Sequence, residues 1–210
     1  MIKISLLFAF ILVSSLLTSV KALNIPPHQE RGQNLIGTIT VQPNIDLPEN
    51  ITIPTDRNFK FALYGHGYQI YQCSVVNKTW TLVAPLADLI DDKNTETFSP
   101  IYYIGRHYFV KEPINGGRPT WESTLQGDNS RVTTKIIATN ASPDDPKNNV
   151  PWLVTQTTAN FGDGAFSDVT NVIRVNTVNG VAPPVEDCGV QYSDQALYYS
   201  EYYTEYWFYH

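Results

Sequence analysis

The chain has 210 residues, 42% of them hydrophobic and 12% aromatic, and a formal net charge of −6. An acidic chain with no basic stripe has no electrostatic footprint for nucleic acid, and 13 tyrosines with 4 tryptophans exclude a disordered polymer. The length suits a single domain with a continuous core.

Residues 1–22 read as a secretory signal peptide. Met1-Ile2-Lys3 is a short basic start, residues 4–17 are almost wholly apolar, and Val20-Lys21-Ala22 offers short side chains for cleavage. The apolar run is short for a spanning helix, which needs about 20 such residues, and no other segment could cross a bilayer. Removing the leader takes Lys3 and Lys21 and no acid. The 14 basic residues become 12 against 20 acidic ones, and the net charge falls to −8.

Residues 23–57 read as an extended segment with one strand, 35–41, and a proline-rich loop after it. A β-rich domain follows over 58–210. Residues 58–64 alternate, with Phe59, Phe61 and Leu63 on one face, and 68–76 with 79–84 make a hairpin around Asn77. Proline near a first turn predicts a short helix over 85–92. Residues 101–110, 131–139, 150–157 and 169–177 have strand composition, and Trp121-Glu122 looks like a strand after a Gly-Gly turn. Turn clusters such as Ser142-Pro-Asp-Asp-Pro and Gly162-Asp-Gly lie between. The predicted fold is all-β: one antiparallel sandwich or barrel with long loops and at most one or two short helices.

Residues 198–210, YYSEYYTEYWFYH, carry aromatics on both faces of any strand they form, with Glu201, Glu205, Tyr203 and Trp207 on one face. A strand buried on both sides is the favoured reading. Aromatics stacking on wall sugars, or tyrosines cross-linked in an extracellular coat, compete with it.

In an oxidising compartment Cys73 and Cys188 read as a structural disulfide. No Cys-x-x-Cys spacing supports redox catalysis. Asn50, Asn77 and Asn140 each open an Asn-x-Ser/Thr triplet in a turn-like context and are expected to be glycosylated, Asn77 at a hairpin tip.

No catalytic motif stands out. His66 and His107 are the only histidines well inside the domain, and a hydrogen bond at a strand end explains each more simply than a ligand or base role. His66, His107, Glu122 and Asp128 could converge on a metal, but no spacing demands it, so no metal is assigned. There is no Gly-x-Ser-x-Gly elbow. If there is an active site, His107, Trp121 and Glu122 are its candidates.

Several ordered motifs carry a resemblance: Gly67-Tyr-Gln-Ile-Tyr-Gln-Cys73, Gly105-Arg-His107, Pro119-Thr-Trp-Glu122, Val150-Pro-Trp-Leu153 and Val169-Thr-Asn-Val-Ile-Arg-Val-Asn-Thr177. From about Asn58 onward the chain resembles a secreted domain-of-unknown-function family whose members sometimes carry the automatic label malate dehydrogenase. The stretch from His107 to Pro119 is longer than that family's, and membership implies no activity. The residues argue against the label. A dinucleotide site needs a strand, a glycine-rich turn and a helix, whereas Gly65-His-Gly67 and Gly162-Asp-Gly164 lead into β-like sequence, and no cofactor is expected.

The leading reading is a secreted, N-glycosylated, coat- or cell-wall-associated structural protein that contacts carbohydrate or other coat proteins. Leader, sequons and tyrosines make it similar to the dormancy coat glycoproteins called spherulins. An extracellular hydrolase or oxidoreductase of unknown substrate is the alternative, and the residues point away from it.

Overall fold

Alternating apolar and polar residues, broken by turn clusters, build eight strands. A computed structural model describes residues 36–52, 55–91, 103–110 and 117–210. The expected leader lies outside them. The strands are β1 (Phe59–Ser74), β2 (Thr79–Ile90), β3 (Gly105–Val110), β4 (Arg118–Ser123), β5 (Arg131–Asn140), β6 (Trp152–Phe161), β7 (Asn171–Asn179) and β8 (Leu197–Tyr209). They form a closed barrel in sequence order, every neighbouring pair antiparallel, with β8 returning to β1. The all-β expectation resolves into a barrel with one short 3-10 turn, Val185–Asp187.

One end of the barrel is filled and apolar. Phe61, Leu63, Leu89, Trp121, Val132, Val172, Tyr206 and Phe208 point inward, and Ile36, Phe166 and Val169 close the floor. The floor loops are pinned by Asp128. Its carboxylate accepts hydrogen bonds from Ser130 N (2.8 Å), Ser130 Oγ (2.6 Å) and Ala165 N (3.0 Å), while Ser130 Oγ accepts one from Phe166 N (2.9 Å). Gly164, at φ +140°, presses against that carboxylate, and any Cβ there would collide with it.

The outer face of β1, β6, β7 and β8 is also apolar. Ala62, Trp152, Val154, Ile173, Val175, Trp207 and Tyr209 cluster there, covered by Ile39, Ile45, Leu47 and Ile51 of the preceding arm. This explains the doubly aromatic C-terminal strand. Tyr206 and Phe208 fill the barrel, while Trp207 and Tyr209 lie beneath the arm. Glu205, on the outer face, accepts hydrogen bonds from Trp207 Nε1 (2.7 Å) and Asn176 Nδ2 (2.9 Å).

Three local expectations change. Residues 85–92 were expected as a helix, but 85–90 continue β2. Pro85 lies just before the ladder to β3 begins at Leu86, so its missing N–H leaves no bond to β3 unmade. The runs expected over 58–64 and 68–76 merge into one long strand, Phe59–Ser74, because the glycines between them continue the ladder. Of the strand expected over 35–41, the described part supplies one bridge, Ile39 to Ala62, and otherwise works through its side chains.

The expected disulfide is present. Cys73, near the end of β1, joins Cys188 in the β7–β8 connection with Cα atoms 5.5 Å apart. That connection enters the other end of the barrel. Val181 packs on Ala87, Val150 and Tyr202, Tyr71 Oη donates to Gly180 O (2.8 Å), and Trp80 Nε1 donates to Pro184 O (3.2 Å). It plugs one side of the mouth. No helix among the described residues is long and apolar enough to cross a membrane.

Candidate functional site

Beside the plug, inside the barrel, lies a cavity of about 120 Å³. Cavities of about 150 Å³ hold benzene, so this one has room for roughly one ring. Leu82, Phe109, Ile136 and Leu153 give it apolar walls, and Pro85, Pro119 and Pro151 line it as well. Its polar lining comes from inward positions of four strands: Gln69 and Tyr71 of β1, His107 of β3, Arg174 of β7 and Tyr206 of β8.

His107 and Trp121 are direct cross-strand partners on β3 and β4, with rings stacked 4.4 Å apart at 18°. The His107 ring is also 5.1 Å from that of Tyr206. Its Nδ1 lies 2.9 Å from the Thr120 carbonyl oxygen, so Nδ1–H donates there and Nε2 keeps its lone pair. Burial pushes the imidazole down to about 3, the Thr120 hydrogen bond opposes this, and the Arg174 charge adds to it. His107 is therefore neutral at physiological pH and a weak base.

Arg174 is buried, and its Nε (3.1 Å) and Nη2 (2.7 Å) both donate to Pro151 O. Among the described residues no carboxylate stands within ion-pair distance of it. Tyr202 and Tyr206 share a hydrogen bond of 3.0 Å between hydroxyls, and burial raises both phenols, countered in each case by the Arg174 charge. Burial pushes Tyr71 up to about 12, again against Arg174. Two buried donors on the lining, Gln69 Nε2 and Trp121 Nε1, have no hydrogen-bond partner. The Gln69 amide lies beside the Tyr202 hydroxyl without Nε2 reaching hydrogen-bond geometry.

Of the three active-site candidates, the barrel brings His107 and Trp121 together and separates Glu122. Glu122 faces outward, where the Tyr108 hydroxyl donates to it at 3.0 Å. It belongs to a cross-strand row of His66, Asp88, Arg106, Glu122 and Arg131 over β1 to β5. Alternating charge along this row is favourable pairing on a solvated face. His66 Nε2 is 2.7 Å from Glu201 Oε1, and its ring stacks on Tyr203 at 4.2 Å. Asp128 is at the opposite end, in the floor. Among the described residues no three His, Cys, Asp or Glu side chains converge as a metal site requires. Gly65 and Gly67 are inward β1 positions, and a Cβ at Gly65 would come within 2.7 Å of the Tyr206 ring. They make room for packing and form no phosphate turn.

Asn77 is exposed in the β1–β2 turn. The Asn50 amide donates to Thr139 O (2.6 Å) and the Asn140 amide to Ala141 O (2.7 Å). Sequence reasoning missed Gln69, Arg174 and Tyr206. The available signal was Val172-Ile-Arg-Val175, a lone cation inside an apolar strand.

Fold and cavity together define an eight-stranded antiparallel barrel with a ring-sized, partly polar interior, an architecture able to hold one small ligand. The chain belongs to the family described as "Protein of unknown function (DUF3455)", whose profile matches residues 54–210. No curated protein and no solved structure matches it.

Proposed function

We propose that this chain is an extracellular, disulfide-stapled barrel protein that binds a small molecule in its interior. One observation carries the reading: a cavity of about 120 Å³ whose apolar walls meet a polar strip that includes the buried Arg174. Secretion fits the disulfide, and of the three sequons Asn77 is the one best disposed to carry a glycan. An enzymatic role has less support, because a histidine held near 3 takes a proton poorly at neutral pH and Glu122 faces the other way.

Ligand-observed NMR with single-ring compounds tests the reading. Saturation transfer is expected from the native protein and not from Ile136→Trp, which fills the mouth at a half-exposed position. No transfer from any compound, or equal transfer from the filled variant, overturns it.

A coat role is the second reading, and it rests on Tyr68 and Tyr199. Both are exposed, and their ring centroids are 6.1 Å apart. Tyr202, Tyr206 and Tyr209 are buried and could not take part in cross-linking. Dityrosine in acid hydrolysates of the producing cells' walls, traced to peptides containing Tyr68 or Tyr199, would support it. Its absence from the purified protein in the wall fraction would end it.

A further inference from the structure

We propose that the cavity is a site for a small carboxylate with a flat apolar body, the acid group meeting Arg174 and the body lying along the Trp121–His107 stack. This rests on the reading of the barrel as a binding protein and names the ligand's class.

The argument starts from a charge. Arg174 is a buried cation without a carboxylate partner among the described residues. Burying a charge is unfavourable unless it is paired. A guanidinium has five N–H donors. One edge of this one donates to the Pro151 carbonyl and another N–H reaches the Tyr206 hydroxyl, and both of these partners are neutral. Gln69 and Trp121 line the same cavity, and neither carries a negative charge to meet the guanidinium. The acceptors on the lining, the His107 Nε2 lone pair and the side-chain oxygens of Gln69, Tyr71 and Tyr206, are all neutral. A lining rich in donors and positively charged is complementary to an anion rich in acceptors.

Shape selects the anion. A planar carboxylate matches an arginine fork in a way that a tetrahedral phosphate does not. Phosphate would also place its remaining oxygens against Phe109, Leu82 and Leu153, which donate nothing. A neutral sugar could accept from the lining but would leave the guanidinium without a counter-charge. The volume admits about one ring, and the stacked Trp121 and His107 line it.

The test is titration calorimetry of the disulfide-bonded protein at about pH 7, where a carboxylic acid is ionised. Benzoate and cinnamate are compared with benzamide and benzyl alcohol. The acids are expected to bind at least about tenfold tighter than the neutral compounds, the range of a charge-assisted hydrogen bond. Arg174→Gln is expected to remove that preference, bringing the acids to the affinity of the neutral compounds. Trp121→Phe, which deletes the indole N–H and keeps a ring, should weaken the acids several-fold. If Arg174→Gln does not fold, Arg174→Lys keeps the charge without the fork and should still weaken the acids. Equal affinity for acids and neutral compounds, or an acid preference that survives at Arg174→Gln, overturns the carboxylate assignment and leaves the binding barrel standing. Absence of binding by all four compounds overturns both.

Discussion

Removing the disulfide through the double substitution Cys73→Ala and Cys188→Ala is expected to destabilise the protein by about 5 kcal/mol. The bond closes a loop of 115 residues. The chain-entropy relation then gives about −16 cal/mol/K for the cross-linked unfolded chain, or about 5 kcal/mol at room temperature. Both half-cystines are buried, so losing the sulfurs adds a small packing loss of about 1 kcal/mol. The native side has other fastenings at the same place. Cys73 N donates to Ala196 O, Gln195 N to Cys73 O and Val75 N to Asp194 Oδ1, each at 2.9 Å. These hold the β7–β8 connection against β1 without the covalent bond, so the loss falls on the unfolded state. For a chain of this size about 2–4 °C of Tm accompanies each kcal/mol, which gives a drop of about 10–20 °C. Differential scanning calorimetry measures it, with non-reducing peptide mapping to verify the bond in the parent protein. A drop below about 3 °C would refute the loop-entropy argument. Loss of the native near-UV signal at room temperature would refute it from the other side, since the bond would then be needed to seat the connection.

His107 binds its proton at about 3 when folded and near 6.5 when unfolded. The unfolded chain therefore takes up a proton that the folded chain refuses, and stability falls as pH drops through that window, by up to about 1.4 kcal/mol per pH unit. Urea midpoints across the window should show this slope in the parent and a shallower one in His107→Phe; identical slopes would contradict it. A Cβ at Gly67 would strike the Leu86 carbonyl oxygen and the Ala87 backbone, so Gly67→Ala should cost about 3 kcal/mol in denaturant unfolding. A loss within error of zero would show that β2 can yield. Asp128→Ala strips three donors of their acceptor and should cost about 3 kcal/mol. Hydrogen exchange at the Ala165 and Phe166 amides should speed up, and unchanged protection there would sink the assignment.

Periodicity made the strands legible, and the turn clusters marked most of their boundaries. The helix expected over 85–92 failed because proline in a first turn and proline beside a short ladder give the same local signal. Only the register of β3, set by a strand distant in sequence, separates them. The doubly aromatic β8 was readable as buried on both faces, but that the outer face is covered by residues 39–51 is a tertiary fact with no local pattern. Glu122 and Trp121 are adjacent in sequence, so on a strand they had to face opposite ways, and alternation alone could have separated them. Arg174 and Gln69 were invisible as a pair, because only the curvature of the barrel brings β1 and β7 to one cavity.

Closing β8 onto β1 has a consequence for how the molecule is assembled. Seven of the eight pairings join strands adjacent in the chain, and the eighth joins Phe59 to Tyr209 and their neighbours. Contacts of that separation carry the largest loop-closure entropy, so the seam is expected to zip last. Until it does, β1 and β8 present free edges, the kind of surface on which chains aggregate. Cys73 lies on one side of that seam and Cys188 just ahead of the strand that completes it, so oxidation shortens the search and the time those edges stay open.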